Sequence, residues 1–415
     1  MKNIRIGIFG LGRGGDMISN ILLCNGEIVA LCDGDEEKLA KGLKASGGTA
    51  ATYTSFDKFL EHPMDAVLLC NYFPQHAPYA IRCLEKGISV LSECTAASTM
   101  AECVALVRAA EKSRATYCLL ENYPHMTFNR EIKRVCDGGT LGKILFAEGE
   151  YNHPFDPNDV PYLRYLRPDL NHWRSRLPRS YYITHALAPL MYMTGATPRR
   201  VCAFASFAPP TGEEFATYVG DRAAIITCFN DDESVFRVTG CAAFGAHENS
   251  YRVCGTNGQI ENIRGFGNKV LLRYNKWQTP EGMSSTNLYE AEGHDKDEAL
   301  AKKAAHGGGD FFVIRNFFDC LRGEKDPDFN VYAATTMSAV AILANRSILA
   351  GGQAFEVPDF RREADRVKYE NDTLTPFFGA DGSAPTVPCC SHPDYKPTDE
   401  QIEIYDRVIT HGPKE

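Results

Sequence analysis

Residues 4–15 read IRIGIFGLGRGG, a β-branched run that passes directly into Gly10-Leu11-Gly12-Arg13-Gly14-Gly15. The spacing is G-x-G-x-x-G at the junction of a predicted strand and a predicted helix. There the first glycine permits a tight turn, the second lets a pyrophosphate approach the backbone, and the third lets helix and strand pack closely. The N-terminus of the helix then faces the phosphate charge. About twenty residues on, Ala30-Leu31-Cys32-Asp33 ends a second β-branched run, placing a carboxylate where the ribose hydroxyls of a dinucleotide bind. An anionic Asp33 repels a 2′-phosphate, so NAD is favoured over NADP. The alternative is a phosphate-free turn in which Asp33 caps the next helix.

Outward from this turn, strand-like and helix-like segments alternate through about residue 120: EIVALC, DEEKLAKGLKA, AVLLC, HAPYAIRCLEKG, ISVLSE, AECVALVRAAEKS and TYCLLE. Such alternation predicts a doubly wound parallel sheet, an α/β Rossmann domain over residues 1–122. From Lys143 the strands lengthen, as in ILFAEGEYNH, RRVCAFASF, AAIITCFN and SVFRVTGCAAFG. They predict a second α/β domain over residues 123–360, with an open, mostly antiparallel sheet buried on one face. PYLRYLRPDLNHWRSRLPRS, residues 161–180, reads as an irregular lining segment. FFVIRNFFDCLRG and VYAATTMSAVAILANRSILAGG are helical by spacing, each closed by glycine. The proline-rich residues 361–415 form an extension that wraps a surface.

A chain of 415 residues with 44% hydrophobic and 23% charged residues is ordinary globular material with room for two cores. Its net charge of −9 and lack of a basic run exclude a nucleic-acid footprint. No apolar run reaches membrane length, and the N-terminus lacks signal-peptide order, so a cytoplasmic protein is expected. The 15 cysteines are dispersed, many inside apolar runs, with no C-x-x-C pair; no metal site is expected, Cys389 and Cys390 being adjacent.

Together these features resemble the Gfo/Idh/MocA oxidoreductases, an N-terminal Rossmann domain followed by an α/β domain whose open sheet faces the nicotinamide. Asn71-Tyr72-Phe73-Pro74-Gln75-His76 matches the stretch that lies along the cofactor, and Leu91-Ser92-Glu93-Cys94-Thr95 stands in the Glu-Lys-Pro place. Further motifs resemble the NAD-dependent glycosidases of glycoside hydrolase family 109, which also lack that lysine: Glu121-Asn122-Tyr123, Gly149-Glu150-Tyr151-Asn152-His153, His172-Trp173-Arg174, Tyr182-Ile183-Thr184-His185 and His306-Gly307-Gly308-Gly309-Asp310. Alanines at 186 and 188 and Pro154-Phe155-Asp156 depart from that branch.

The resemblance implies NAD as cofactor, held by Gly10, Gly12, Arg13, Gly14, Gly15, Asp33, Asn71, His76, Glu93, Cys94 and Asn122. It implies a small glycoside as substrate, bound by Arg174, Trp173 and His306, and a homo-oligomer. The implied reaction passes hydride from sugar C3 to NAD, removes the acidified C2 proton, eliminates the aglycone, adds water and restores the hydride. Tyr151 is the candidate for the C2 proton step and His185 for the C3 hydroxyl, with Tyr182 and His153 completing the catalytic set. Tyr151 and His153 lie two apart on a predicted strand and share a sheet face, while Tyr182 and His185 open a helix. A neutral imidazole accepts a proton near pH 7, and a tyrosine beside a cation has its pKa lowered. Cys94 has no sequence neighbour that would activate it as a nucleophile. His306 either reaches the cofactor or substrate or caps the helix beginning near Asp310. A sugar dehydrogenase releasing NADH and an NAD-bound sensor without turnover are the alternative functions.

Overall fold

The structure is a computed structural model that describes residues 3–156, 159–166, 168–209 and 220–411. Arg167 of the lining segment and the last four residues of the tail lie outside them. The first sheet comprises β1 (Ile4–Phe9), β2 (Gly26–Cys32), β3 (Ala51–Tyr53), β4 (Ala66–Leu69), β5 (Ser89–Glu93) and β6 (Tyr117–Leu120). Its order is β3-β2-β1-β4-β5-β6 and every described pairing is parallel. Helices cover both faces, so the central strands carry apolar residues on both sides; all four residues of β4 are buried. The order reverses between β1 and β4, and the crevice at their carboxyl ends is where such sheets bind ligands. Both Gly10 and Asn71 emerge there.

The second sheet contains β7 (Ile144–Asn152), β8 (Pro198–Phe207), β9 (Asp221–Asn230), β10 (Val235–Ala242), β11 (Glu248–Gly255), β12 (Gly258–Asn262), β13 (Lys269–Tyr274), β14 (Thr286–Glu290) and β15 (Phe355–Glu356). They run in the order β14-β13-β12-β11-β7-β10-β9-β8-β15. Strand β7 pairs in parallel with β10, and the other neighbours are antiparallel. One face packs on the helices Thr184–Thr194 and Val331–Leu349, and Gly149 of β7 is needed because a side chain there would run into the Ala186 carbonyl. On the strands Leu145, Phe204, Ile225 and Phe229 remain substantially exposed.

The helix Gly309–Leu321, which falls within the second domain by sequence position, packs on the parallel sheet instead. Phe311, Phe312, Ile314, Phe317 and Phe318 join Ile6, Ile8, Met17 and Ile21 in one apolar cluster. The chain thus returns to the first core before the helix Val331–Leu349 closes the second. The tail is fixed at several points: Asp372 takes a two-pronged bond from Arg346 at 2.6 and 2.7 Å, Ser391 bonds Asp221, and Val408 of the helix Asp399–His411 packs on Val160 and Leu163. Among the described residues no helix is long and apolar enough to cross a membrane.

Truncating Phe317, which is 1% exposed, tests this shared core. Phe317→Ala is expected to lower unfolding stability by about 3–5 kcal/mol; a helix merely lying on the surface would lose far less in the same denaturant titration.

Candidate active site

The glycine turn forms a cradle that side chains would fill. Gly10 has φ +89°, and a Cβ on it would strike the Cys70 carbonyl. The close helix–strand contact expected at the third glycine of the spacing, Gly15, is made instead by Gly14, which meets Ile8 and Cys70, while Gly15 has open space beside it. Asp33 Oδ2 accepts from the Leu11 N–H at 2.6 Å and Oδ1 from the Asp35 N–H at 2.9 Å. The next helix is capped by Asp35, which accepts from the N–H groups of Glu37 and Lys38, so the capping alternative for Asp33 is not the one adopted.

A cavity of about 750 Å³ opens on this turn. Gly10, Gly12, Arg13, Asp33, Asn71, Glu93 and Asn122 line it from the first domain. Facing them are Tyr151, His153, Trp173, Arg174, Tyr182, His185 and His306. Its size lies in the range of ordinary ligand sites, and a glycine-walled floor with a carboxylate at the end of β2 fits a dinucleotide. The Tyr165 hydroxyl lies against Gly12, and this half-exposed side chain must swing aside for a phosphate to reach the backbone.

Four predicted cofactor residues lie outside the lining. Besides Gly14 and Gly15, His76 is fully buried, its ring nitrogens each 3.0 Å from the Thr95 and Asn71 carbonyls, and so joins two loops. Cys94 sits behind Glu93 in a small adjoining hollow. Burial, with Glu93 and Glu121 nearby, pushes its thiol well up, which disfavours a nucleophilic role.

On the far wall Tyr151 lies near the end of β7, and His153 follows one residue past it, tied by its N–H to the Ala242 carbonyl at 2.8 Å. His185, in the first turn of its helix, is the best-connected group. Its Nδ1 lies 2.7 Å from Glu121 Oε1, its Nε2 3.3 Å from the Tyr182 hydroxyl, and its ring stacks on Tyr123 at 4.1 Å. A carboxylate only accepts, so Nδ1 carries a proton toward Glu121, and Nε2 is the nitrogen turned to Tyr182 and the cavity. The Tyr151 ring stands edge-on at 5.0 Å. Sequence reasoning carried Glu121 and Tyr123 as motif letters without assigning them chemistry; their only signal was the position just after the last parallel strand. His247, 4.6 Å from the His153 ring, carried no signal.

The electrostatics revise one expectation. Burial, reinforced by neighbouring phenols and thiols, drives Tyr151 and Tyr182 well above the usual phenol range, and both stay protonated. Burial, with His247 beside it, moves His153 the other way, down to about 4, so it is neutral at pH 7 with its buried Nδ1 unpartnered.

Between the two walls stands Asp310, 1% exposed. It accepts from Arg13 at 2.7 Å and Asn122 at 2.6 Å, and His306 Nδ1 lies 3.1 Å away. His306 therefore lines the cavity and bonds Asp310 through its side chain rather than capping the helix, whose N-cap is Gly308. Gly309 is required because a side chain there would meet the Asn122 carbonyl.

Sequence comparison adds the family. Residues 4–120 match the family model described as "Oxidoreductase family, NAD-binding Rossmann fold", and residues 129–261 match "GFO/IDH/MocA C-terminal domain". The chain belongs to the Gfo/Idh/MocA oxidoreductases. Residues 214–366 also match "Glycosyl hydrolase 109, C-terminal domain". A glycosyl hydrolase family 109 protein of Streptomyces niveus is 28% identical over 399 residues, covering 87% of this chain and 78% of that protein. An alpha-N-acetylgalactosaminidase of Shewanella oneidensis is 24% identical over 411 residues, covering 88% and 86%. Among solved structures, the WlbA dehydrogenase of Bordetella pertussis, in complex with NADH and UDP-GlcNAcA, superposes with a TM-score of 0.65 at 18% identity, covering 86% of this chain and 99% of that one. This member of the family is an NAD-dependent oxidoreductase.

Arg13 and His306 hold Asp310 below the usual carboxylate range. Its stabilising contribution is therefore complete above the unfolded-state pKa of about 3.9 and is lost as pH falls below it. Asp310→Asn, which removes the closer charge partner of Arg13 and leaves only Asp16 at 4.0 Å, is expected to cost about 3 kcal/mol at pH 7 and to flatten the loss of stability below pH ~4, both read from denaturant titrations across pH.

Proposed function

We propose that the protein is an NAD-dependent glycosidase that opens its glycoside by temporary oxidation and ends redox-neutral. The observation that carries this reading is the convergence of two imidazole acceptors and two protonated phenols on the cavity wall opposite the glycine turn. The cycle needs that inventory: an acceptor for the C3 hydroxyl proton, an acceptor near C2 and a donor at the leaving oxygen. NAD, when bound, supplies the hydride acceptor for C3 and returns that hydride at the end.

His185 Nε2 takes the C3 hydroxyl proton, and the buried Glu121 carboxylate behind it balances the positive charge that the ring gains. The Tyr182 hydroxyl occupies Nε2 until a sugar hydroxyl replaces it. At C2 the electrostatics favour His153, kept neutral by burial and by His247 beside it, over Tyr151. Tyr151, kept protonated by burial, is better suited to deliver a proton to the departing oxygen. This exchanges the task that sequence reading gave Tyr151, because the cation needed to lower its pKa does not stand beside it. Arg174, stacked over Trp173 at 4.4 Å and free of carboxylate partners among the described residues, holds sugar hydroxyls. The family 109 relatives support a glycoside as substrate, and the exposed Phe204, Ile225 and Phe229 of the second sheet support a homo-oligomer.

Aryl glycosides incubated with the protein and catalytic NAD in deuterated water provide the test. Cleavage with deuterium at C2 and no net NADH is expected. Steady NADH formation would establish a dehydrogenase instead, and absence of both would leave a sensor. In the same assay His185→Gln and Tyr151→Phe are each expected to slow cleavage by about 10²–10⁴-fold while leaving NAD binding, followed by fluorescence, within a few-fold of the unaltered protein.

A further inference from the structure

Cys94, Glu121 and His185 bring a thiol, a carboxylate and an imidazole nitrogen within 4.8 Å of one another, all three residues buried. The proton chemistry above uses two of these residues and leaves Cys94 idle. It also leaves Glu121 Oε2, which is buried without a hydrogen-bond partner. A carboxylate oxygen in that condition is costly, and the group that would satisfy it together with a thiol is a cation.

Sulfur, imidazole nitrogen and carboxylate oxygen are the three ligand types of zinc. Tetrahedral zinc with bonds of 2.0–2.3 Å holds its donor atoms roughly 3.3–3.6 Å apart. His185 Nδ1 and Glu121 Oε1 are 2.7 Å apart, and no pair in the cluster exceeds 4.8 Å. The site would close around a metal if that hydrogen bond opened by about half an ångström and the thiol moved in by about one. Of the three, His185 alone lines the main cavity, and it would give the metal its Nδ1, the nitrogen now turned to Glu121.

We propose that Cys94, Glu121 and His185 form a three-ligand site for a thiophilic divalent cation, zinc(II) foremost, in the position where most of the family carries a lysine. Metal in this site engages His185 and Glu121 and so acts as a reversible off-switch for the reaction. The switching role rests on the function proposed above; the binding does not.

The full-length chain, stripped with a chelator, is titrated with cobalt(II) as probe and then with zinc(II). One cobalt per chain is expected, with a near-ultraviolet thiolate-to-cobalt charge-transfer band that equimolar zinc removes. Cys94→Ser should abolish the band and weaken zinc binding at least tenfold, whereas Cys389→Ser with Cys390→Ser should leave both unchanged. Glu121→Gln should also weaken binding, but Cys94→Ser decides the matter if that variant does not fold. No band, a band that survives Cys94→Ser, or one lost with the Cys389 and Cys390 substitutions would overturn the site. If zinc binds as described while glycosides remain uncleaved in its absence, the site stands and the functional reading falls.

Discussion

One buried carboxylate holds together the pieces of chain that make the cavity. Asp310 accepts from Arg13 at the start of the helix after the glycine turn and from Asn122 just past the last parallel strand, and it meets His306 on its own approach loop. A carboxylate 1% exposed is tolerable only when such partners surround it. Meeting that condition fixes the glycine turn, the exit from the first domain and the start of the helix Gly309–Leu321 relative to one another. The same helix buries its phenylalanines against the parallel sheet, so apolar burial and a polar node secure one junction.

The chemistry of the far wall follows from burial, which at Tyr182 outweighs the pull of Arg174 nearby and at Tyr151 meets no cation among its main influences. With cysteine at position 94 in place of the family's lysine, no ammonium stands at that point to favour a phenolate. Burial then dominates and keeps Tyr151 and Tyr182 protonated. The same low-polarity surroundings keep His153 neutral. Desolvation thus sorts one wall into phenol donors and an imidazole acceptor, and Glu121 orients the second imidazole, His185. The nearest arginine on the cofactor side, Arg13, is committed to Asp310.

What was legible in the sequence was legible through local spacing. The glycine turn, the acidic residue at the end of β2 and the strand–helix alternation are short-range patterns, and they specify a doubly wound parallel first sheet. Tyr151 with His153, and Tyr182 with His185, were visible as close pairs in sequence, although His153 lies one residue past β7 and Tyr182 just before the helix Thr184–Thr194. Contacts made across long stretches of chain were not visible. Glu121 lies 64 residues from His185, and the pairing of Arg13 with Asp310 spans 297. No periodicity reports that the helix Gly309–Leu321 returns to the first core, since its apolar face reads the same on either sheet. His76 was expected along the cofactor; side-chain direction past a strand end is set by tertiary packing, which turns it inward between two backbone carbonyls.

The central claim is that the sugar carbon oxidised at the glycine cradle lies within reach of the imidazole and tyrosine set opposite. An aryl glycoside carrying deuterium only at C3 tests it most directly. The account predicts slower aglycone release than from the unlabelled glycoside, with the deuterium still at C3 of the released sugar. Equal rates of release, or a C3 label lost to solvent, would contradict it.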